Sequence, residues 1–476
     1  MESATALNFK SQEEMVSLNF LDILVIVAFL VAVVLIGFYS GKITKSEADD
    51  YLLSGRKVGL LLFVLTNVSA WYGGILGVGE FTYRYGLASW FTQGFPYYVF
   101  AFLFALFFAK KIRQASLFTI ADKITNTYGR EAGLVSAVLV FILVSPAPYL
   151  LMTASLLSLI FNINIFFSLL ISLLISLIYL FKGGFRSTVY TDSFQFFVMF
   201  IAFIIILLFC YFTLGGTNFL SHSLPPEHLS LTGGATPTFL IVWFLIALWT
   251  FADPGFHQRC YAAKDGNVAM KGILISIIFW ALFDFLTTST GLYARALIPG
   301  MKQPVLSFPL LAEKILTPGF KGIFYAGLFA TIMSTLNSFL FLSGTTIGID
   351  FIFKISKYAS EDKLKLYTEL GLIASGIIAV ILAFAIPSVI EIWYTVGSIC
   401  IPGMIIPVIS AYYPQWRIGN KIIFVEMIAA VLSSLVWYLV RENFLMIPVI
   451  NEIEPMLVGL MISIAIHFYG VIRYEV

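Results

Sequence analysis

The chain has 476 residues, of which 60% are hydrophobic, 16% are aromatic and 11% are charged, and its formal net charge is +2. Soluble globular domains carry about 25% charged residues, so this composition, with a mean hydropathy of +0.95, excludes a soluble chain and predicts a polytopic membrane protein. A net charge this small gives no argument for nucleic-acid binding. The cysteines, Cys210, Cys260 and Cys400, are far apart in or beside apolar runs and indicate neither a disulfide framework nor a metal site.

Thirteen apolar segments are long enough to cross a bilayer as helices, which requires about 20 residues each. They cover residues 20–41, 58–86, 88–109, 133–161, 163–181, 188–214, 237–262, 272–298, 322–349, 366–386, 388–412, 422–440 and 455–471. Most of the 28 basic residues, Arg259 among them, are predicted to lie in or next to the loops that join the spans on one side of the membrane. The positive-inside rule therefore predicts a multi-pass protein of the cell membrane with its N-terminus outside and its C-terminus in the cytoplasm.

Two of these segments are interrupted by residues that suit a lipid-facing helix poorly. The second span contains Thr-Asn-Val-Ser-Ala-Trp-Tyr-Gly-Gly at 66–74, and the seventh contains Trp-Thr-Phe-Ala-Asp-Pro-Gly at 249–255. Non-helical backbone at membrane depth persists only where protein, water or a bound ion satisfies its polar groups. A tolerated kink explains either break alone, but two breaks at corresponding places in two halves predict a secondary transporter with inverted repeats.

The spacing of the breaks predicts the domain organisation, because two spans five apart cross the membrane in opposite directions. Residues 58–214 and 237–412 are predicted to form two inverted five-helix repeats of an all-α fold. Residues 1–57 supply an extracellular N-terminus and a peripheral first span, residues 215–236 an extracellular loop, and residues 413–476 two peripheral C-terminal spans.

The ninth span carries three hydroxyls on one helical face, from Thr331, Ser334 and Thr335 at positions i, i+3 and i+4. Carbonyls released by the first break near Leu65 and Val68 would bring the oxygen ligands to about five, which suits a hard cation such as sodium. Alternatively, the hydroxyls bond to their own helix or join helices together. The spacing alone does not decide between these accounts.

Three aspartates lie within apolar segments, where an ionisable side chain is costly and by default functional. Asp192 lies near the start of the sixth span, Asp284 in the middle of the eighth, and Asp253 in the second break. Asp192 is equally consistent with ion coupling and with a structural partnership, whereas Asp284 is predicted to be structural.

Aromatic residues near the breaks are candidates for stacking on a solute, although core packing is the simpler account of each. They are Trp71, Tyr72, Tyr149 and Trp249. The sequence contains no phosphate-binding Gly-Lys-Ser/Thr loop, no zinc motif and no recognisable pair of nucleophile and base, so no enzyme is predicted.

Several motifs, occurring in matching order over nearly the whole chain, resemble the sodium:solute symporter family. They are Asp-Tyr-Leu-Leu-Ser-Gly-Arg at 50–56, Thr-Asn-Val-Ser-Ala-Trp at 66–71, Gly-Gly at 183–184 with Thr-Asp at 191–192, Gln-Arg-Cys-Tyr-Ala-Ala-Lys at 258–264, and Ser-Thr-Leu-Asn-Ser at 334–338. That family includes bacterial symporters of sodium with proline, pantothenate, sialic acid or galactose. The resemblance implies a LeuT-like inverted-repeat fold with 13 spans and inward transport driven by sodium.

The resemblance also implies a sodium site. Its ligands would be the backbone oxygens of Leu65, Val68 and Thr331 and the hydroxyls of Ser334 and Thr335. In addition, Asp192 matches a carboxylate that is associated with a second sodium or with coupling in some members of the family.

The solute site that the resemblance implies differs from those of known members. Gln93 falls where the galactose transporter has a glutamate, Tyr72 falls where it has a glutamine, and Asn67 stands where proline symporters carry an aspartate. Neither a sugar nor proline therefore follows from the resemblance. The predicted substrate-binding residues are Tyr72, Gln93, Trp71, Asn67, Tyr149 and Trp249.

The sequence therefore predicts a bilayer protein that imports a small organic solute together with sodium by alternating access. Amino acids such as proline, sugars, sialic acid, pantothenate and urea-like molecules are the candidate solutes. The alternatives are a proton-coupled or uncoupled carrier and, from another class, a membrane sensor built on the transporter fold. A channel is disfavoured because the polar residues cluster at two breaks rather than along a pore.

Overall fold

The computed structural model describes residues 16–44, 47–355, 360–386, 389–441 and 453–474. This part of the chain is almost entirely helical, and its β-structure is one bridge between Val58 and Ala263. The segment before residue 16, predicted to be an extracellular N-terminus, lies outside the described residues.

The helices of the described residues are numbered here in chain order. They are α1 (Phe20–Ile43), α2 (Ala48–Leu53), α3 (Leu60–Ser69), α4 (Ile75–Tyr85), α5 (Ala88–Gln93), α6 (Phe95–Phe107), α7 (Ala109–Ala115), α8 (Ile120–Tyr128), α9 (Arg130–Leu143), α10 (Ala147–Phe161), α11 (Ile165–Leu214), α12 (Gly216–Ser223), α13 (Pro237–Ile246), α14 (Pro254–Ala262), α15 (Gly266–Leu297), α16 (Ser307–Ile315), α17 (Phe320–Thr345), α18 (Leu364–Ala385), α19 (Val389–Cys400), α20 (Pro402–Tyr412), α21 (Asn420–Val440) and α22 (Pro455–Tyr474).

Within the described ranges, ten helical stretches are long and apolar enough to cross a membrane. The longest, α11, has 50 residues, or about 75 Å of helix, which is more than twice the roughly 30 Å of a hydrocarbon core. It bends at Gly184, whose φ is 54° and ψ is −138°. A Cβ at this glycine would lie 2.3 Å from the carbonyl oxygen of Tyr51, so both the backbone conformation and the packing require glycine. The predicted division between the fifth and sixth spans falls at this bend.

Both predicted interruptions coincide with breaks between helices. In the first, α3 ends at Ser69 and α4 begins at Ile75. In the second, a short 3-10 turn at Ala247–Phe251 separates α13 from α14. The first break is shorter than the predicted stretch, because residues 66–69 still belong to the last turn of α3.

The helix α17 forms the centre of the fold. In its most apolar stretch 89% of the residues are buried, against 28% for α1 and for α21. It packs against α1, α10, α11 and α18. Its start is held by the Asp22 carboxylate of α1, which accepts hydrogen bonds from the backbone N–H groups of Gly319 and Gly322 at 2.7 and 2.8 Å. A carboxylate at a helix N-terminus satisfies otherwise unpaired donors and suits the helix dipole, so α1 and α17 are joined at this end.

Candidate functional site

The backbone of the first break lies directly against α17. Gly73 makes this approach possible, because a Cβ at this position would lie 2.4 Å from the Cβ atom of Thr335. The broken segment and the hydroxyl-bearing helix are 265 residues apart in sequence but are in van der Waals contact here.

Two hydroxyls of α17 face the end of α3, as the spacing in the ninth span predicts. The Ser334 hydroxyl donates to the carbonyl oxygen of Ser69 at 2.7 Å, and the Thr335 hydroxyl donates to that of Ala70 at 2.9 Å. The Thr331 hydroxyl instead bonds to carbonyls of its own helix. Its backbone oxygen points towards the site, accepting a hydrogen bond from Ser334 at 3.0 Å.

The predicted carbonyl ligands, those of Leu65 and Val68, accept hydrogen bonds from the segment that follows them. The Leu65 oxygen accepts a hydrogen bond from the Ser69 hydroxyl at 2.9 Å, and the Val68 oxygen accepts one from the Trp71 N–H at 3.3 Å. Because α3 continues to Ser69, the carbonyls opposite α17 come from the last residue of the helix and the first residue of the break.

Asp192 lies at the meeting point of four helices and is fully buried. One of its oxygens accepts a hydrogen bond from the Thr66 hydroxyl of α3 at 2.5 Å, and the same oxygen lies 3.6 Å from a guanidinium nitrogen of Arg259. Arg259 also donates to the Ser338 hydroxyl of α17 at 3.0 Å and to the Gly255 carbonyl at 3.2 Å. The four side chains therefore connect both breaks to α17 and α11.

Arg259 is predicted from the charge distribution to be one of the basic residues of the cytoplasmic side, and the structure gives it a different role. The side chain is in α14 and the residue is only 4% exposed, so it is an intramembrane ion-pair partner. Its position five residues after Pro254, inside the apolar segment 237–262, was the available signal.

The second oxygen of Asp192, Oδ1, has no hydrogen-bond partner among the described residues although it is buried. An unpaired carboxylate oxygen is costly inside a membrane protein, so it favours binding of a cation. The hydroxyls of Thr66 and Ser338 lie around the same carboxylate and arginine and supply further oxygen atoms.

On the other side of the first break, Trp71 belongs to an aromatic cluster that it forms with Tyr97, Phe256 and Trp280. Its ring centroid lies 5.1, 5.5 and 5.4 Å from theirs, respectively. The hydroxyl of the next residue, Tyr72, donates to the Trp280 carbonyl at 2.9 Å. This aromatic cluster joins α6, α14 and α15 to the break.

Tyr72 and the C-terminal end of α5, where Gln93 lies, are both near Asp284. The Tyr72 hydroxyl interacts with the Asp284 carboxylate, which also accepts a hydrogen bond from Tyr98. Gln93 is half-buried at the end of α5, and a Cβ on the following residue, Gly94, would lie 2.8 Å from the same carboxylate. Asp284 therefore lies beside Tyr72 and beside the residue that follows Gln93.

The remaining predicted solute residues are less closely connected to the first break. Tyr149 packs edge to face on Phe339 of α17, with ring centroids 4.8 Å apart, and Trp249 packs against an aliphatic cluster that includes Ile405 of α20. These contacts agree with the packing account of both aromatics. Asn67 is buried within α3, and its amide nitrogen has no partner among the described residues.

Comparison with known proteins identifies relatives of the chain. A family model described as the sodium:solute symporter family matches residues 51–400. High-affinity choline transporter 1 of Caenorhabditis elegans is 25% identical over 414 residues, which cover 79% of this chain and 71% of the relative. The sodium/pantothenate symporter of Escherichia coli strain K12 is 28% identical over 398 residues, which cover 78% and 80%.

Among solved structures, a Na+-coupled sialic acid symporter in a substrate-bound outward-open state superposes with a TM-score of 0.82 at 16% identity. The superposition covers 96% of this chain and 98% of that structure. At this level of identity the match shows a shared all-helical transporter fold.

Proposed function

The chain belongs to the sodium:solute symporter family, and on this basis we propose that it imports a small organic solute by coupling it to the entry of sodium. It is a multi-pass membrane transporter and not an enzyme. The observation that carries the proposal is the contact between the Ser334 and Thr335 hydroxyls and the backbone at the end of α3.

Sodium is proposed to bind between α3 and α17. Its ligands are the backbone oxygens of Leu65, Val68 and Thr331 and the hydroxyls of Ser334 and Thr335. Hydroxyl oxygens and backbone carbonyls are the ligands that a hard cation prefers. The two hydroxyls donate their hydrogens to the carbonyls of Ser69 and Ala70, and their remaining lone pairs can coordinate a cation. A sodium ion held by α3 and α17 together favours the conformation in which the first break contacts α17, which is how an ion alters the conformational equilibrium.

Asp192 is proposed to serve a second cation or the coupling step. Its buried, unpaired Oδ1 atom supports this role, whereas the Arg259 guanidinium, 3.6 Å from the other oxygen, competes with a second cation. Arg259 supplies a positive charge where the second cation would sit, so loading a sodium ion here requires the guanidinium to move away.

The solute is proposed to bind at the first break, opposite α17. The residues that contact it are Tyr72, Gln93, Trp71, Asn67, Tyr149 and Trp249. The aromatic cluster around Trp71 supports a site that encloses an organic molecule, since such sites combine aromatic walls with few polar groups.

The proposal includes a repeat organisation and a membrane topology. Two inverted repeats, 58–214 and 237–412, account for ten of 13 spans, with the N-terminus outside and the C-terminus in the cytoplasm. The bend that divides α11 and the breaks in the second and seventh spans support this division.

A thermal-shift screen of the purified protein tests the function. Choline, amino acids, sugars, sialic acid, pantothenate and urea are each added with sodium or with potassium chloride at equal ionic strength. A ligand at 100 times its Kd stabilises the folded state by about 2.7 kcal/mol. We expect sodium alone to stabilise the protein and one solute class to add to this effect in sodium but not in potassium. A solute that stabilises equally in both salts would contradict sodium coupling.

A further inference from the structure

Asp284 is a carboxylate in the middle of a membrane helix that the proposed sodium sites do not use. It lies near the centre of α15, and its carboxylate accepts a hydrogen bond from the Tyr98 hydroxyl of α6. The Tyr72 hydroxyl, from the first break, interacts with the same group. The carboxylate therefore joins three segments of the helix bundle.

No lysine, arginine or histidine of the described residues forms an ion pair with Asp284, and the titratable groups that interact with it are Tyr72 and Tyr98. By contrast, the Asp192 carboxylate lies 3.6 Å from the Arg259 guanidinium. On the same helix Leu282 is 48% exposed and Phe285 is 61% exposed, so the adjoining surface of α15 faces lipid. No basic side chain of the described residues is therefore at hand to stabilise a negative charge on Asp284.

Packing holds the Asp284 carboxylate in place. A Cβ at Gly94 would lie 2.8 Å from its Oδ2 atom, 3.0 Å from the Tyr98 hydroxyl and 3.0 Å from the Trp90 carbonyl oxygen. This close approach allows no larger residue at position 94 while the carboxylate and Tyr98 keep their positions.

The surrounding oxygens suit a proton better than a metal ion. A metal cation needs several free oxygen ligands. Beside the Asp284 carboxylate lie the hydroxyls of Tyr98 and Tyr72, which are fewer oxygens than the five proposed for the sodium site between α3 and α17. A proton needs only one carboxylate oxygen.

We propose that Asp284 binds a proton that leaves when sodium occupies the site between α3 and α17 and returns when sodium departs. The O–H bond of the carboxylic acid breaks, the proton passes to water, and a carboxylate that accepts a hydrogen bond from Tyr98 remains. The inference rests on the proposed sodium site, because a cation beside Gly73 lies one residue from Tyr72 and favours the charged carboxylate. By linkage, a proton on Asp284 weakens sodium binding by the same factor.

The test measures protons released when sodium binds. The purified protein is placed in weakly buffered detergent solution with a pH indicator, and sodium chloride is added, with potassium chloride as the control for ionic strength. The parent protein should release up to one proton per molecule in sodium only. Its sodium affinity, measured by thermal shift, should weaken up to tenfold per pH unit towards acid pH.

Asp284→Asn should abolish both the proton release and the pH dependence while it still binds sodium. Glu426→Gln is the matched control, because Glu426 is a buried carboxylate of another membrane helix and has partners in Ser463 and His467, each at 2.8 Å. It should release protons like the parent.

If Asp284→Asn does not fold, Tyr98→Phe is a second variant that tests the same carboxylate. Loss of this donor destabilises the carboxylate, so the pH range of proton release should move upwards. Sodium binding without proton release in the parent, or unchanged release in Asp284→Asn, overturns the proposal. Absence of any sodium-specific stabilisation in the parent instead contradicts the proposed function itself.

Discussion

The two breaks satisfy their backbone groups in different ways. At the first break, carbonyls of Ser69 and Ala70 accept hydrogen bonds from hydroxyls of another helix, α17. At the second, the bonds are local: the Asp253 carboxylate accepts the Phe256 N–H at 2.9 Å, and the His257 ring is hydrogen-bonded to the Phe251 carbonyl at 3.0 Å. The second break is thus completed by its own residues, whereas the first is completed by a partner helix.

This difference indicates which break responds to an ion. A cation bound by the Ser334 and Thr335 hydroxyls would act on the contact between the first break and α17, whereas the second break keeps its shape without that contact. The two broken segments are also connected at one end, where the Val58 N–H donates to the Ala262 carbonyl at 3.2 Å and the Lys264 N–H donates to the Val58 carbonyl at 2.9 Å. Movement at the first break is therefore expected to carry the second with it.

The largest expected effect concerns Arg259, which contacts both breaks. Arg259→Gln leaves the Asp192 charge buried without its partner, and breaking such a pair typically costs about 3–5 kcal/mol. Thermal unfolding in detergent should show a strongly lowered Tm. The double variant Asp192→Asn/Arg259→Gln should recover part of the loss, because it buries no unpaired charge.

Asp192→Asn alone should lower sodium-driven uptake or change its sodium stoichiometry while folded protein is still obtained. Loss of folded protein in this variant would show that the residue is structural. An unaltered Tm in Arg259→Gln would show that the ion pair does not connect the breaks.

The next largest effect concerns the hydroxyls opposite the first break. Ser334→Ala with Thr335→Ala removes two of about five oxygens around sodium, and we expect the mutual enhancement of sodium and solute binding to fall by roughly 5–150-fold. Thr346→Ala is the control, because its hydroxyl bonds to the Leu342 carbonyl of the same helix segment at 2.9 Å. An unchanged sodium enhancement in the double variant would show that the hydroxyls only join helices.

A third prediction separates the solute from the ion at the first break. Gln93→Ala should weaken solute binding about tenfold, equivalent to about 1.4 kcal/mol, because a buried polar contact is lost. Sodium binding should be nearly unchanged, since Gln93 lies on α5 and not beside α17. Titration of the solute in saturating sodium measures the first effect, and sodium-dependent thermal shift measures the second. A variant that keeps its apparent solute affinity would place the solute elsewhere.

The second break should contribute stability without affecting sodium. Asp253→Ala removes the N-cap of α14 and should cost about 0.5–2 kcal/mol. Asp253→Asn retains a capping oxygen and should lose less. Neither variant should change sodium affinity, which is measured by titration at a temperature below both unfolding transitions. A steep fall in sodium affinity in Asp253→Asn would contradict the inference that sodium acts at the first break and not at the second.

The smallest effect concerns the loop that covers the end of α4. His228 is buried there, with its ring hydrogen-bonded to the Tyr83 carbonyl at 3.1 Å, and burial lowers the pKa of this imidazole. The unfolded chain therefore binds a proton at higher pH than the folded chain, so stability is present above the ordinary histidine pKa of about 6.5 and declines below it. The parent Tm should decline more than that of His228→Gln as the pH falls below that value.

The sequence by itself determined the all-helical membrane character of the chain, the two breaks and the hydroxyl face of residues 331–335. Each depends on local chemistry: apolar length sets a span, glycine, proline and polar residues interrupt a helix, and i, i+3 and i+4 spacing aligns side chains. For this reason the predicted face of Ser334 and Thr335 does meet the first break.

Only the tertiary structure decided which atoms meet. It extended α3 to Ser69, so the hydroxyls contact Ser69 and Ala70 in place of Leu65 and Val68. It paired Asp192 with Arg259, and it placed Asp284 beside Tyr98, 186 residues away, with no basic partner among the described residues. The physical reason is that the burial and pairing of a charge depend on helices that come together from distant parts of the chain. The local sequence pattern around each residue does not specify these partner helices.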